Sequence, residues 1–474
     1  MTTDIRHTEA KSTEATTNEA KSTDGLVDRL RSVYASRQTR GIGWRLEQLS
    51  GIERLVDERE DEIAEALRQD LGRSAAEAWL GDIAGSKGEA VYARKKLRKW
   101  MKKRKQHMPL NQLPGSGWVQ YEPLGVVLII GPWNYPVYLT LSPLVAAVAA
   151  GNCAVVKPSE LAPATSALLA QLIPQYLDSE AVVVVEGDGA VTQDLLAQGF
   201  DHALFTGGTE IGKKIMAAAA PTLTPVTLEL GGKSPVIVSA DADLDVAARR
   251  IAWVKLLNSG QTCIAPDYIL AERSVSVDLV DKIVATLAEF RADQEGQGMR
   301  IVNERQFDRL VANLEATKGR IVMGGESDRA ALTIQPTVIV DPDPAEPAMT
   351  DEIFGPILPI LTVDSLDEAI SFVNSRPKPL AMYVFAKSRV VSSRLIDEIP
   401  AGGAVINHVA MHCLVAQLPF GGVGASGMGA YHGEWGFQTF SHRKAVLSKG
   451  AKPDLRFIYP PYTAKNLKLM RKVF

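Results

Sequence analysis

Gly125-Val126-Val127-Leu128-Ile129-Ile130, then Gly131-Pro132-Trp133-Asn134-Tyr135-Pro136, then the small apolar run of residues 144–150, is the stretch that decides the fold class. By hydropathy alone, residues 124–156 could cross a membrane, but Pro132, Pro136 and Pro143 interrupt them. The pattern predicts instead a buried strand, a loop, and a helix over 144–150. Outward from it, residues 154–156, 182–185 and 203–205 read as further strands. Residues 164–173, 191–198 and 211–219 read as helices between them, the first opened by Pro163 and stopped by Pro174. Strands alternating with helices imply right-handed βαβ units and a parallel sheet. The alternation resumes at 236–238, 268–270, 337–340, 382–385 and 404–406, after a change of lobe near Glu229 to Gly232. Upstream, residues 26–105 carry helical periodicity, as in Ile63, Ala64, Ala66 and Leu67. The expected fold is α/β with two lobes.

The chain has 474 residues, about three times the ~150-residue domain prior, and so holds two or three domains. Hydrophobic residues at 46% and charged residues at 23% exclude wholesale disorder. A net charge of −3 excludes a globally basic nucleic-acid binder. Three cysteines cannot build a disulfide framework and suit a reducing, cytoplasmic compartment. Residues 1–24 hold one large aliphatic after Met1, Ile5, and no aromatic, so a disordered tail is expected. They lack the apolar core of a signal peptide. Nine of the twelve residues 94–105 are basic; they read as a solvated helix face with Trp100 and Met101 on its buried side. The tail 465–474 mixes Leu467, Leu469, Val473 and Phe474 with four basic residues, too short to span a bilayer but able to touch an anionic surface.

Three local features carry chemistry. Phe205-Thr206-Gly207-Gly208-Thr209-Glu210-Ile211-Gly212-Lys213 follows a strand and opens a helix, a place suited to an anion, or simply a tight turn. Lys214 after Lys213 offers no hydroxyl for Mg²⁺, which argues against a triphosphatase loop. Cys263, in Asn258-Ser259-Gly260-Gln261-Thr262-Cys263-Ile264-Ala265-Pro266, is either a nucleophile or a buried structural thiol. Glu229, before Leu230-Gly231-Gly232-Lys233, is either a general base or a solvent-facing carboxylate before a turn. Cys153 fits a structural role, and no cysteine or histidine spacing suggests a metal.

Taken in order, residues 131–136, Lys157-Pro158-Ser159-Glu160, Phe205-Thr206-Gly207, Glu229-Leu230-Gly231-Gly232-Lys233, Gly260-Gln261-Thr262-Cys263 and Glu352-Ile353-Phe354-Gly355-Pro356 resemble the NAD(P)-dependent aldehyde dehydrogenase superfamily over residues 26–450. Residues 418–424 and 426–433 are similar to its class-three, fatty and aromatic aldehyde branch, typically dimeric. The resemblance implies a Rossmann-like cofactor domain at 25–230 with a bridging segment at 103–123, a catalytic domain at 231–424, and a C-terminal segment with an oligomerisation arm at 425–474. It makes Cys263 the nucleophile, Glu229 the base for hydrolysis, and the Asn134 amide an oxyanion donor. It gives cofactor contacts to Trp133, Lys157, Glu160, Gly207, Gly212, Glu352 and Phe354, and places Tyr135 and His412 at the substrate pocket. NAD⁺ is the expected cofactor, with NADP⁺ tolerated, because Glu160 would repel a 2′-phosphate that Lys157 partly offsets. Gly208 departs from the polar residue more common there. The implied partners are a small aldehyde and a second copy of the chain, without nucleic acid or transmembrane anchor. The rival readings are a coenzyme A-acylating dehydrogenase and a non-catalytic protein that keeps the fold.

Overall fold

In the computed structural model, residues 23, 25–292 and 299–474 are described; the expected tail, apart from Thr23, lies outside them. The apolar run Val126–Ile130 is the central strand of a six-stranded sheet, and all five residues are buried. A strand covered on both faces has no reason to alternate polar and apolar residues, which is why it reads as a continuous run. Cys153–Lys157 and Val182–Val184 lie in parallel on one side of it, and His202–Thr206 and Val226–Glu229 on the other. The chain thus starts in the middle of the sheet and winds outward both ways, which is the doubly wound arrangement. The short strand Gly427–Met428 returns antiparallel to Val226–Glu229. Register sets Ile130 opposite both Lys157 and Phe205, and Thr206 opposite Glu229. The loops that leave these strands therefore start level, at one edge of the sheet.

The second sheet has seven strands in the order Arg320–Met323, Thr337–Val340, Ile357–Val363, Tyr268–Glu272, Pro235–Val238, Ala381–Phe385 and Gly403–Ile406, parallel except for the first. Sequence periodicity does not show Ile357–Val363, because Pro359 sits inside it and proline removes a ladder donor. The strand changes sides there: residues 357–360 pair with Thr337–Val340, and pairing with Tyr268–Glu272 begins at Ile360, just past the proline. A three-stranded antiparallel sheet of Arg104–Gln106, Ser116–Pro123 and Ser441–Ser448 completes the strands, alongside the small pair Ser327–Asp328 and Thr333–Ile334.

Two helices differ from the proline-based expectation. The helix predicted over 144–150 begins at Tyr138 and runs through Pro143. Its start is set from outside, by Asp82, whose carboxylate accepts the N–H groups of Val137 (2.9 Å) and Tyr138 (2.8 Å). The helix Pro163–Tyr176 likewise continues past Pro174, which loses one hydrogen bond but keeps a helical φ. In the basic stretch, Leu97 and Trp100 of the helix Ala84–Trp100 are buried, while Lys95, Lys96, Arg98 and Lys99 face solvent. No helix among the described residues is long and apolar enough to cross a membrane.

Candidate active site

Two loops meet where the lobes meet. One leaves the Val126–Ile130 strand and carries Asn134; the other follows the helix Leu244–Leu256 and carries Cys263. The Asn134 side-chain amide donates to the Gln261 carbonyl (3.1 Å), and Asn258 Nδ2 donates to both the Asn134 and Gln261 carbonyls (3.0 Å each). Buried Gln261 reaches back to the Asn258 carbonyl and across to Arg300 and Val302. Asn258, Ser259 and Gly260 all have left-handed backbones, with φ of 52°, 51° and 70°. At Gly260 a Cβ would strike the Gly355 carbonyl, so glycine is required there twice over. Asn258 and Ser259, two consecutive non-glycine residues in this region, are held there by the surrounding hydrogen bonds.

Beneath both loops lies an ion pair that sequence inspection does not reveal. Arg73 and Asp82 are 2% and 0% exposed and pair directly. The Arg73 guanidinium also donates to the Asn134 carbonyl, approaches Asn258 Oδ1 (3.4 Å), and stacks 4.4 Å from the Tyr135 ring centroid. Tyr135 Oη in turn meets Thr262 Oγ1 at 2.8 Å, next to the thiol. Arg73 and Asp82 belong to a stretch without a recognisable motif. Asn258, in contrast, stands in an Asn-Ser-Gly triplet, which is itself a signal for left-handed turn geometry.

Cys263 and Glu229 line a common cavity. Glu229 ends the Val226–Glu229 strand, is 2% exposed, and neither of its carboxylate oxygens has a hydrogen-bond partner among the described residues. Burial pushes its carboxyl well above the usual carboxylate range. Burial raises the Cys263 thiol strongly too, and the carboxylates of Glu352 and Glu229 add to the effect. Cys263 therefore rests as a thiol beside a buried carboxyl that has no partner among the described residues. Cys153 is a strand residue, wholly buried, with its thiol pushed up to about 12. Cys413 lines the cavity wall.

Glu352 lies against Gly231, where any Cβ would collide with its carboxylate. Its loop is clamped: Lys233 pairs with Asp267 and donates to the Ala348 and Asp351 carbonyls (2.9 Å each), and Arg309 donates to the carbonyls of Glu352 (3.2 Å) and Ile353 (2.7 Å). Burial, then the Asp267 charge, pushes the Glu352 carboxyl up to about 8. Phe354, at φ 48°, meets the Trp133 ring edge-on at 5.3 Å. Lys157, its amine buried, donates to Glu160 (2.8 Å) at the end of its strand. Gly207 and Gly208 lead into the helix Thr209–Ala219, and the space beside Gly208 is open.

The structure does not bring His412 to the cavity. Its ring packs against Tyr383 and Phe420, neither nitrogen has a hydrogen-bond partner among the described residues, and burial lowers it to about 4. The imidazole that lines the cavity is His432, which has φ 83° and lies 3.1 Å from Glu89.

Residues 5–446 match the model of the aldehyde dehydrogenase family. The chain belongs to the aldehyde dehydrogenase family. It is 49% identical over 440 residues to aldehyde dehydrogenase family 3 member A2 of Mus musculus, covering 92% of this chain and 90% of that one. It is 44% identical over 445 residues to the dimeric NADP-preferring aldehyde dehydrogenase of Mus musculus, covering 93% and 98%. Among solved structures it resembles the substrate-bound AldH of Staphylococcus aureus, with a TM-score of 0.90, 42% identity, and coverage of 94% and 98%. The dehydrogenase oxidises an aldehyde to the carboxylic acid with NAD(P)⁺. Its own residues fit a dinucleotide: a helix N-terminus at the carboxyl edge of a doubly wound sheet, open space at Gly208, and a buried lysine beside a carboxylate.

Proposed function

We propose that Cys263, Glu229 and Asn134 carry the oxidation of medium- to long-chain aliphatic or aromatic aldehydes. The observation that carries this reading is the convergence of a thiol and an unpartnered buried carboxylate on one cavity walled by Leu80, Leu139, Trp253, Leu257, Met299 and Phe420. Glu229 takes the Cys263 proton, and the thiolate sulfur bonds to the aldehyde carbon. The resulting oxyanion accepts hydrogen bonds from the second N–H of the Asn134 amide and from the Cys263 backbone N–H. NAD(P)⁺, when bound, would supply the hydride acceptor that turns the Cys263 adduct into a thioester. Glu229 releases the thiol proton to solvent and then takes a proton from water, whose oxygen attacks the thioester carbon; the acid leaves, and the departing Cys263 thiolate takes that proton from Glu229, which restores the thiol. A base placed for this step favours water over coenzyme A as acceptor.

Trp133, Lys157, Glu160, Gly207, Gly212, Glu352 and Phe354 are assigned to the dinucleotide. Lys157 and Glu160 take the adenosine ribose, with NAD⁺ preferred and NADP⁺ accepted; Lys157, already an ion-pair partner of Glu160, can turn to a 2′-phosphate. Residues 25–230 form the cofactor domain and 231–424 the catalytic domain. The antiparallel arm within 103–123 and 425–474 joins two copies, in keeping with the relative described as dimeric. Three thiols, each free, suit a cytoplasmic setting. The test is NADH appearance across an aldehyde panel. Native turnover abolished in Cys263→Ala supports the reading, and undiminished turnover in that variant refutes it.

A further inference from the structure

Four residues that line the cavity with Cys263 carry buried polar atoms without a hydrogen-bond partner among the described residues: Thr206 Oγ1, both oxygens of Glu229, Tyr431 Oη and both ring nitrogens of His432. Each of the four is at most 7% exposed. Buried polar atoms are costly to leave bare, and where protein offers no partner, water does. His432 stands at φ 83° just ahead of the helix Gly433–Thr439, its ring 4.4 Å from that of Tyr431, 5.3 Å from Phe420 and 6.0 Å from Tyr138. The helix Ala84–Trp100 brings Glu89 against it. One Glu89 oxygen accepts the Gly433 N–H (3.1 Å), which fixes the carboxylate, and the other lies 3.1 Å from His432 Nδ1. A carboxylate beside Nδ1 draws the ring proton to that nitrogen and leaves Nε2 free to accept another.

With Glu229 as the base, the Cys263 proton ends on its carboxyl, and a protonated carboxyl cannot act on water. That proton has to leave while the thioester waits, yet Glu229 is 2% exposed and its oxygens have no partner among the described residues. Other titratable groups of the cavity wall are poor carriers. Burial pushes up the phenols of Tyr135, Tyr138 and Tyr431 and the Cys413 thiol. The Arg73 guanidinium keeps its proton, and Glu77 accepts the N–H (2.9 Å) and the hydroxyl (2.8 Å) of Ser74 at its own helix cap. An imidazole, in contrast, takes and gives a proton near neutral pH. We propose that His432, oriented by Glu89, carries the thiol proton away from Glu229 through water held among the Thr206, Glu229 and Tyr431 side chains. The O–H bond of the carboxyl breaks with its electron pair kept on oxygen, and an N–H bond forms at Nε2. The imidazolium then gives a proton to solvent water before the next turnover, and nothing is oxidised or reduced. The titratable groups facing the ring are Glu89, Tyr138, Tyr431 and His412, and Glu89 is the one carboxylate among them that can balance its charge. This role rests on Glu229 being the base.

The test mixes the full chain with NAD⁺ and an aldehyde in weak buffer, following NADH by absorbance and protons by an indicator dye. The variant is His432→Gly, because φ 83° suits glycine and the missing side chain leaves room for added imidazole. The expected result is a first NADH per site at the parent rate without the proton that accompanies it in the parent. The steady rate should then fall at least about a hundredfold, and free imidazole should restore it while leaving the parent unchanged. Glu89→Gln, whose amide oxygen still accepts the Gly433 N–H, should show the same split between the two phases with a smaller loss. A glycine variant that turns over like the parent overturns the proposal. So does one in which both phases fall together without rescue while Glu89→Gln behaves as the parent, since that is the mark of a packing role. Should the glycine variant give no NADH at all, Glu89→Gln decides: the split supports the relay, and parent-like phases overturn it. Glu229→Gln leaves His432 in place and reports on the base alone, so the failure of that reading is seen separately.

Discussion

Asp82→Asn tests whether the buried ion pair positions the two reactive loops. The substituted amide keeps an oxygen to accept the Val137 and Tyr138 N–H groups, so the start of the helix Tyr138–Ala150 survives. What is lost is the charge opposite Arg73, which leaves a guanidinium uncompensated in a site where both partners are at most 2% exposed. Removing one partner of a buried pair costs about 3–5 kcal/mol, a large share of the ~5–15 kcal/mol that holds a domain folded. Arg73 also fixes the Asn134 carbonyl and stacks on Tyr135, so a reoriented guanidinium frees the proposed oxyanion donor. Loss of one such donor lowers kcat by about 10²–10³. Urea unfolding would measure the first effect, and the single-turnover rate of NADH formation the second. The double variant Arg73→Met/Asp82→Asn separates the two, since it removes both charges. It should recover most of the stability and little of the rate, because no guanidinium then holds Asn134. A double variant that regains full kcat, or an Asp82→Asn chain less than about 1 kcal/mol weaker than the parent, would refute the positioning role.

Glu229→Gln should lose both the burst of NADH and its steady-state release, because in this reading one carboxylate serves both the thiol and the water; rapid mixing reads the two phases, and a full burst followed by a stall would confine Glu229 to hydrolysis. In the parent, turnover should climb as pH rises through the range to which burial lifts the Glu229 carboxyl, well above that of an ordinary carboxylate. The same variant has a stability signature of definite sign. A carboxyl raised on folding contributes stability that is present below its unfolded pKa and lost as pH rises through its folded value. Glutamine removes that loss, so the stability advantage of Glu229→Gln over the parent should grow with pH; thermal melts across pH check it. Glu160→Gln should reduce the preference for NAD⁺ over NADP⁺ about tenfold, since a charge-assisted hydrogen bond is worth about 1.5–3 kcal/mol; the kcat/KM ratio for the two cofactors reads it. Gly260→Ala should lose nearly all thiol reactivity toward iodoacetamide while NAD⁺ still binds, because a Cβ there meets the Gly355 carbonyl at φ 70° and displaces the Cys263 loop.

What the sequence shows of this molecule follows from which forces are local. Val126–Ile130 is legible because a strand buried on both faces is apolar throughout. Ile357–Val363 is not, because Pro359 is tolerated only through a change of pairing partner, and no window of sequence contains that partner. The helix that begins at Tyr138 is hidden for a similar reason: Asp82, in the helical segment Trp79–Ile83 far back in the chain, supplies its cap. Cys263 and Glu229 stand out through motifs, yet Arg73 and Asn258, which touch across 185 positions, leave no trace in spacing. His412 and His432 are indistinguishable by residue type. Only the folded chain shows that the His432 ring lines the cavity. The thiol shows the same division. A loop cysteine among small polar residues could be activated by a lowered pKa or by a base, and sequence leaves both open. The fold decides between them, because burial and two carboxylates push the thiol up and only its own backbone N–H acts the other way. A thiol raised in this way attacks nothing at neutral pH without a proton acceptor in the same cavity. In our proposal Glu229, buried with both oxygens unpartnered among the described residues, is that acceptor; burial holds its proton to higher pH, so the pair becomes reactive as the carboxyl ionises.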